Sequence, residues 1–289
     1  MGKQIIIEEI NLCLPDKLKI DLDILIDDVI NSKMDCVIVI DGKEGAAKST
    51  NARLIGKYIS HRVKMPFSSE NIHFSTDKYI DFSENQEKYT INILDESREA
   101  LNKKRGMSRS NVKFTNWLSE NRDKNQFHIL ILPAIHDLDS YISVWRMKLL
   151  IHFLLGRGKS ETSYSGHQLI RGKFRVYNNN KDLQRVIFNK NRYGHYSYPL
   201  QYNYERTMKY QEVFTCDELE KYNNKKATAR RLKYQSDDKR KDEKTHKLLK
   251  AMLDMGLSRR EISRKSGMGV NQVCEMAKEI QDSVIVPTT

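Results

Sequence analysis

The sequence predicts an α/β fold in which a mainly parallel sheet is flanked by helices and followed by a small all-α module. Three observations predict it: short apolar runs that alternate with helical patterns, a turn containing glycine and lysine directly after the first run, and a shift to short helical segments behind a strongly basic stretch. Of the 289 residues, 39% are hydrophobic. That fraction is enough for one medium α/β core with a small appendage.

Four apolar runs have the length and composition of buried parallel strands. Each is short and closes on glycine, proline or acidic residues; the runs span 36–40, 89–94, 127–132 and 148–155. Strands of this kind that alternate with helices are typical of doubly wound sheets. We also expect a helix with an apolar face at 22–30, helices at 97–104 and 112–122, and an edge strand at 172–177.

The distribution of charge and turns divides the chain into four segments. We predict an N-terminal helical lead-in (1–32), an α/β core (33–215), a basic linker (216–245) and a helical module (246–289). The net charge is +12, and residues 221–250 supply +8 of it, as twelve Lys or Arg against four Asp or Glu. A polyanion is the natural partner of such a segment, although a solvated linker helix has the same composition.

Composition also argues against several classes of protein. No run reaches the stretch of about 18 apolar residues that a membrane span needs, so no membrane partner is expected. The first thirty residues carry seven acidic residues, in contrast to a secretory signal. The four cysteines lack C-x-x-C spacing, which argues against a zinc site or a disulfide framework. We therefore expect a cytoplasmic protein, located in the host cytoplasm if the chain is viral.

The first strand leads into a loop whose spacing predicts phosphate binding. Asp41 is followed by a stretch that fits G-x-x-x-x-G-K-[ST] with one departure, Ala47 at the second glycine. In such loops backbone N–H groups surround the β-phosphate, and the following helix adds its N-terminal dipole. We expect Lys48 to reach the β- and γ-phosphates of ATP and the Ser49 hydroxyl to hold Mg²⁺. The predicted nucleotide-binding residues are Gly42, Lys43, Glu44, Gly45, Ala46, Ala47, Lys48, Ser49 and Thr50.

Ala47 is the position at which the loop departs from the pattern. We expect this residue to begin the helix with a helical φ, which an alanine adopts without strain. If the position instead needs a positive φ, the affinity for nucleotide would fall.

The second predicted strand ends in two adjacent acids, Asp95 and Glu96. An acid at the end of a strand can join the Mg²⁺ shell, and the next acid can align and polarise the attacking water. This pairing predicts a hydrolase, with Asp95 as the metal ligand and Glu96 as the catalytic base beside the catalytic Lys48. Two solvated acids at an ordinary strand end are the alternative.

The two motifs resemble those of P-loop ATPases that carry an additional catalytic glutamate. More narrowly, residues 33–180 resemble small ATPases of phages and other mobile elements, related to the zonular occludens toxin and FtsK/HerA groups. The resemblance implies a P-loop NTPase fold, ATP and Mg²⁺ as cofactors, and a homo-oligomer such as a ring that acts on DNA. It also implies that Gly42, Lys48 and Ser49 bind the nucleotide, Asp95 the metal, and that Glu96 is the base. The similar stretches are 41–45, 94–96, 107–111, 122–125, 137–141 and 145–146.

Two further parts of such a site are less well marked in the sequence. A polar sensor often ends the strand after the acids, but here that strand closes on Pro133, and His136 is the nearest polar candidate. An arginine finger acts across a subunit boundary and can raise the rate by about three to five powers of ten. Arg146 is the first candidate for a catalytic finger because it lies just before a predicted strand; Arg109 and Arg122 are the others.

Behind the basic segment, three short helical patterns resemble the helix-turn-helix of resolvases and sigma-like factors. Ser258 and Glu261 have the spacing of a capping box at the start of the second helix. The expected core residues are Leu257, Ile262, Met268, Val270, Val273 and Ala277. The predicted DNA-binding residues are Arg259, Arg260, Arg264, Lys265, Asn271, Gln272 and Lys278. An oligomerisation or partner-docking module is the alternative.

The favoured function is a DNA-associated ATPase that hydrolyses ATP with Mg²⁺ to translocate, package or remodel DNA. Two others stay open: a nucleotide-switched DNA-binding regulator, and a small-molecule kinase of the thymidylate type, which has a similar loop but needs no DNA-binding tail. Tyrosines interleaved with Lys and Arg over 190–234 could stack on single-stranded bases or cover a small sheet.

Overall fold

The computed structural model describes residues 12–95, 109–159, 167–178, 181, 183–185, 198, 201–271 and 273–277. By its internal contacts the chain separates into two units, one ending at Asn224 and the other beginning at Lys225. This division lies inside the predicted basic linker.

The first unit is an α/β domain built on a mixed, mostly parallel sheet of seven strands. The strands are β1 (Cys36–Gly42), β2 (Ile72–His73), β3 (Ile91–Leu94), β4 (Phe127–Ile131), β5 (Met147–Lys159), β6 (His167–Asn178) and β7 (Tyr204–Thr207). Their order across the sheet is β2-β3-β4-β1-β5-β6-β7. The first five strands of this order run parallel, whereas β6 is antiparallel to β5 and β7 is antiparallel to β6.

Helices cover both faces of the sheet. They are α1 (Asp16–Ser32), α2 (Lys48–Val63), α3 (Thr76–Glu84) and α4 (Arg109–Glu120). Because side chains alternate along a strand, β1 divides its residues between two apolar clusters. Ile38 and Ile40 pack with residues of α1 and α2, and Val37 and Val39 with residues of α3 and α4. A strand buried on both sides has to be apolar throughout, which explains why β1 was recognisable in the sequence.

The strands expected at 36–40, 89–94, 127–132 and 148–155 are confirmed as β1, β3, β4 and β5. The prediction of an edge strand at 172–177 was wrong in one respect, because β7 pairs along the outer side of β6. β7 was missed since its sequence, Tyr-Glu-Arg-Thr, has no apolar run. The helix expected at 97–104 falls outside the described residues.

The second unit contains short helical segments around a small apolar core. Helix α5 (Cys216–Asp254) enters it, followed by α6 (Arg259–Ser266) and by helical residues at 270–271 and 273–277. The predicted capping box is confirmed: the Ser258 hydroxyl accepts from the Glu261 backbone N–H, and the Glu261 carboxylate accepts from the Ser258 backbone N–H at 2.9 Å. Val270 was wrongly predicted as core, since its side chain is exposed. The buried residues are Leu249, Ile262, Val273 and Ala277.

Helix α5 is 39 residues long and is rich in charged and polar residues. Its bounds take in the whole of the segment predicted as a linker. None of the helices in the described part of the chain combines the length and apolar character that a membrane span requires.

A buried polar network lies where the parallel strands begin. The guanidinium of Arg146 donates to the carboxylate of Asp35, just before β1. Burial raises the pKa of Asp35, while the charge of Arg146 acts in the opposite direction. The Nδ1 atom of His128 shares a hydrogen bond of 2.7 Å with the Tyr79 hydroxyl. Burial, together with the charge of Arg146, lowers the pKa of His128 to about 3, so this imidazole is neutral in the folded protein at neutral pH.

We expect this neutral imidazole to make folding acid-sensitive. In the unfolded chain His128 takes up a proton below about pH 6.5, whereas the folded protein resists protonation until the pH nears 3. The free energy of unfolding should therefore fall by about 1.4 kcal/mol per pH unit across this window because of this one group. Urea unfolding at pH 7, 6 and 5, compared with a His128→Gln variant, measures the effect. Equal pH slopes for the two proteins would contradict it.

Candidate nucleotide-binding site

The predicted phosphate loop lies between the end of β1 and the start of α2, at the edge where the parallel strands end. Helix α2 has no acidic residue in its first turn. No carboxylate of this first turn therefore competes with an anion for its N-terminal N–H groups and helix dipole. Lys43, Glu44 and Gly45 are exposed, and Ala46 is buried.

Two glycines are required by the path of the loop. Gly42 has a φ of +132°, and a Cβ atom on it would lie 2.1 Å from the carbonyl oxygen of Phe153 in β5. Gly45 has a φ of +78°. A side chain at the first position would collide with backbone, and one at the second would strain the turn.

The expectation of a helical φ at Ala47 was wrong. It caps α2 with φ 68° and ψ 29°, which is the left-handed conformation and not a helical one. An L-residue other than glycine adopts this conformation at a cost of about 1–2 kcal/mol. Ala47 therefore has the left-handed backbone conformation that favours glycine at this position of the motif. The backbone of the loop is strained there.

Lys48 is held at the centre of the loop. Its ammonium group donates to the carbonyl oxygen of Gly42 and, at 3.0 Å, to that of Lys43. The loop thus curves around the Nζ atom, which holds the charge where phosphate oxygens would enter. Ser49 and Thr50 follow in the first turn of α2 and are half-buried.

Asp95 lies directly after β3 and is 2% exposed. Strand β4 separates β3 from β1, so the two strand ends are two strand spacings, roughly 10 Å, apart. The Asp95 backbone N–H donates to the His73 carbonyl at 2.8 Å, which fixes the start of the turn. Glu96, the predicted base, falls outside the described residues.

The donor set at this edge fits Mg²⁺. A serine hydroxyl at the start of α2 and a buried carboxylate at the end of β3 supply hard oxygen ligands, which this ion prefers, and leave room for phosphate and water oxygens. Ser49 and Asp95 are therefore the residues that would hold the ion.

Sequence reasoning missed a buried contact between Asp95 and α5. The Tyr222 hydroxyl donates to an Asp95 carboxylate oxygen at 3.2 Å. The Tyr222 ring packs in turn on the Arg53 guanidinium, 4.8 Å away, and Arg53 forms an ion pair of 3.0 Å with Glu212. Arg53 is 5% exposed and follows Ser49 by one helical turn, so its position in α2 was the available sequence signal. No sequence signal pointed to the contact of Tyr222 with Asp95, because 127 residues separate them.

A second missed residue is Asp41, the last side chain of β1 before the loop. Its buried carboxylate accepts hydrogen bonds from the Ile135 backbone N–H at 2.7 Å, from His152 at 2.8 Å and from the Tyr198 hydroxyl. Burial and the charge of Asp41 raise the pKa of Tyr198. His136, the sensor candidate, is buried with its ring edge-on to Tyr198 at 5.4 Å. The network ties the base of the loop to β5 and to the turn after β4.

The structure argues against Arg146 as an arginine finger. It is 7% exposed and paired with Asp35 where β1 begins, at the opposite end of the sheet from the loop. A buried, ion-paired guanidinium cannot extend into a neighbouring subunit. Arg122 is exposed and donates to the Tyr141 hydroxyl at 3.3 Å, and the side chain of Arg109 is outside the described residues.

The predicted DNA-binding residues lie in the second unit. Arg259, Arg260, Arg264 and Lys265 are exposed on or beside α6, and Asn271 is exposed as well. Gln272 and Lys278 fall outside the described residues. The exposure of these cations is compatible with phosphate contacts, and their role stays a prediction.

A solved structure resembles part of the chain: "Structure of the genome packaging NTPase B204 from Sulfolobus turreted icosahedral virus 2 in complex with ATP-gammaS". The sequence identity is 15% and the TM-score 0.29; the match covers 51% of this chain and 93% of that chain. No protein-family model and no curated protein matches the sequence. The interpretation of the loop therefore rests on its own geometry.

Replacing Ala47 by glycine should stabilise the protein by roughly 0.5–1 kcal/mol. The left-handed strain disappears, and the greater flexibility of glycine in the unfolded chain offsets part of the gain. Ala46→Gly is the matched control, because Ala46 is buried and has no positive φ, so that variant should lose stability. Urea unfolding of the wild-type protein and the two variants measures whether each substitution raises or lowers the free energy of unfolding. A loss of stability in Ala47→Gly would contradict the strain.

If Asp95 is the Mg²⁺ ligand that the sequence predicts, removing the Tyr222 hydroxyl should weaken binding of the ion. Partners that orient a metal ligand typically contribute 10- to 100-fold to affinity or activity, so Tyr222→Phe should need about tenfold more Mg²⁺ for half-maximal hydrolysis of the ATP that the loop is predicted to bind. Tyr204→Phe is the control, since it removes a tyrosine hydrogen bond to Asp21 instead. An unchanged Mg²⁺ requirement in Tyr222→Phe would show that the contact does not orient Asp95.

Proposed function

We propose that this chain is a Mg²⁺-dependent ATPase of phage or mobile-element type that acts on DNA during translocation, packaging or remodelling. One observation carries the proposal: the loop between β1 and α2 curves around the Lys48 ammonium at a helix N-terminus. A buried acid, Asp95, lies at the same edge of the sheet. A lysine inside a loop of backbone N–H groups is suited to the β- and γ-phosphates of a nucleoside triphosphate.

The residues divide the work of hydrolysis as follows. The loop N–H groups and Lys48 hold the phosphates, and Lys48 stabilises the charge that develops on the transferred phosphoryl group. Ser49 and Asp95 would hold Mg²⁺, which would neutralise charge on the phosphate oxygens. Glu96, one residue beyond Asp95, takes a proton from the attacking water as general base.

Charge supports a nucleic-acid partner. The chain has a net charge of +12, two thirds of which comes from residues 221–250. The exposed cations of the second unit add a surface that can contact phosphates. We propose that the ATPase works as a homo-oligomer, in which an exposed arginine such as Arg122 acts on the site of a neighbour.

A nucleotide-switched regulator is the second candidate, and one contact favours it. Tyr222 lies near the start of α5, the helix whose bounds extend into the second unit, and it donates to Asp95. An ion held by Asp95 would draw charge from the carboxylate that accepts this hydrogen bond, so binding alone could act on this helix. Sustained hydrolysis is what separates the two functions.

ATP hydrolysis with and without DNA tests the proposal. We expect turnover that depends on Mg²⁺ and rises with DNA, and that is abolished in Lys48→Ala. Glu96→Gln should still bind ATP but hydrolyse it at least about 100-fold more slowly, because it removes the general base. Phosphate release is the readout, and binding is followed by calorimetry.

Two outcomes would contradict the ATPase. Wild-type protein that binds ATP without turnover in the presence of either single- or double-stranded DNA would favour the switch. If the wild-type protein hydrolyses no more ATP than Lys48→Ala, the loop has no part in ATP hydrolysis.

A further inference from the structure

Strands β5 and β6 continue past the edge of the sheet as a two-stranded ribbon. The last pairing of β5 with β1 joins Phe153 to Gly42, at the start of the phosphate loop. Beyond that point β5 runs to Lys159 and stays paired with β6, where Lys159 lies opposite His167. Six further residues at about 3.3 Å each extend roughly 20 Å. We call residues 155–159 and 167–171 the ribbon.

The register gives the ribbon one basic face. Arg157 lies directly opposite Leu169, so both project from the same side. Lys159 is two residues further along β5 and shares that side. Arg171 is two residues from Leu169 on β6, at the register shift between Leu154 and Gly156. All four side chains are exposed. Arg157 and Lys159 thus share a face with Leu169, and Arg171 adds a third cation at its base.

The opposite face is built from two glycines beneath one isoleucine. Gly156 pairs with Ile170, and a Cβ atom on Gly158 would lie 2.8 Å from the Ile170 Cδ1 atom. Ile170 thus covers the glycines, which gives the two strands a small contact of their own outside the sheet. A ribbon with a fixed register keeps its cations in a fixed spacing.

The cations of the ribbon differ from those at its base. Lys173 and Arg175, further along β6, each form an ion pair of 2.7 Å with Glu205 of β7. In the described part of the chain, Arg157, Lys159 and Arg171 form no ion pair, and the ribbon as defined contains no acidic residue. Among the residues that the structure describes, no carboxylate pairs with these three exposed cations, so their charge is available to a partner.

We propose that the basic face of the ribbon binds the phosphate backbone of DNA. This inference rests on the proposed function and adds the surface through which the ATPase domain itself holds DNA. Phosphates are the ligands that such a cluster of arginine and lysine fits, and a two-stranded ribbon has dimensions that a major groove admits. Leu169 at the centre of the face supplies an apolar contact to sugars or bases.

The ribbon also connects DNA with the nucleotide. Its base is the stretch of β5 whose Phe153 carbonyl lies against Gly42, so the first residue of the phosphate loop and the root of the ribbon share one backbone contact. DNA held by the ribbon therefore acts on the strand against which the loop is built. This position explains why we expect DNA to stimulate hydrolysis.

The test compares two triple variants of the full chain with equal loss of charge. One carries Arg157→Gln, Lys159→Gln and Arg171→Gln; the control carries Lys33→Gln, Lys78→Gln and Lys88→Gln, all exposed and outside the ribbon. Binding of a fluorescently labelled 30-base-pair duplex is followed by anisotropy across a series of salt concentrations. Basal ATP hydrolysis without DNA reports that each variant is folded.

The ribbon variant should bind DNA at least tenfold more weakly than the control. The slope of log affinity against log salt should become shallower by about 2–3, since each phosphate contact contributes about 0.9 for duplex DNA. DNA stimulation of hydrolysis should fall with it, while basal hydrolysis persists. A photo-crosslinking residue in place of Leu169 should label the DNA.

Duplex affinity equal to that of the control would overturn the inference and leave the face to an acidic protein partner. An equal loss in both variants would overturn it too, because total charge alone would then explain the binding. These failures are distinct from failure of the proposed function, in which wild-type protein hydrolyses no more ATP than Lys48→Ala.

Discussion

The close approach of Gly42 to the carbonyl of Phe153 is the constraint on which the rest of the site depends. It brings β1 so near to β5 that no side chain fits between them, and it turns the chain out of the sheet at this point. The loop can then return through Gly45 and a left-handed Ala47 to start α2, with the Lys48 ammonium enclosed by the carbonyls it has just passed. Strain at Ala47 is tolerated because the flanking strand and helix are buried and fix both ends of the loop.

The two ends of the sheet have different roles. Where the parallel strands begin, two buried polar pairs, Arg146 with Asp35 and Tyr79 with His128, have a structural role. Where they end, buried acids stand behind and beside the loop: Asp41 is held by three donors, and Asp95 by Tyr222. The stacked Arg53 and Tyr222 connect the first turns of α5 to Asp95 and α2, and Phe153, at the root of the ribbon, contacts Gly42 at the start of the loop. The loop therefore lies between α5 and the ribbon, and a conformational change in the loop can be transmitted to either of them.

The sequence was sufficient for features that are local. Buried strands such as 36–40 and 127–132 are continuous apolar runs, and the loop motif and the Ser258–Glu261 capping box each occupy a few consecutive residues. It was insufficient where tertiary contacts decide. Ala47 takes a positive φ because both ends of the loop are fixed by the flanking strand and helix. Arg146 is buried and forms an ion pair with Asp35, which lies 111 residues away in the sequence. The contact of Tyr222 with Asp95 and the pairing of β7 with β6 are tertiary contacts as well, and no local sequence pattern predicts either of them.

Calorimetric titration of the wild-type chain, Gly42→Ala and Gly269→Ala with Mg²⁺ and a non-hydrolysable ATP analogue shows whether this loop binds a nucleotide. A Cβ atom at Gly42 collides with the Phe153 carbonyl, whereas at Gly269 it meets no atom within 4 Å. We expect binding by the wild-type chain and by Gly269→Ala, and binding at least about tenfold weaker, by about 1.4 kcal/mol or more, in a folded Gly42→Ala. Equal affinity in all three proteins, or no binding by the wild-type chain, would contradict the claim that this loop is a nucleotide site.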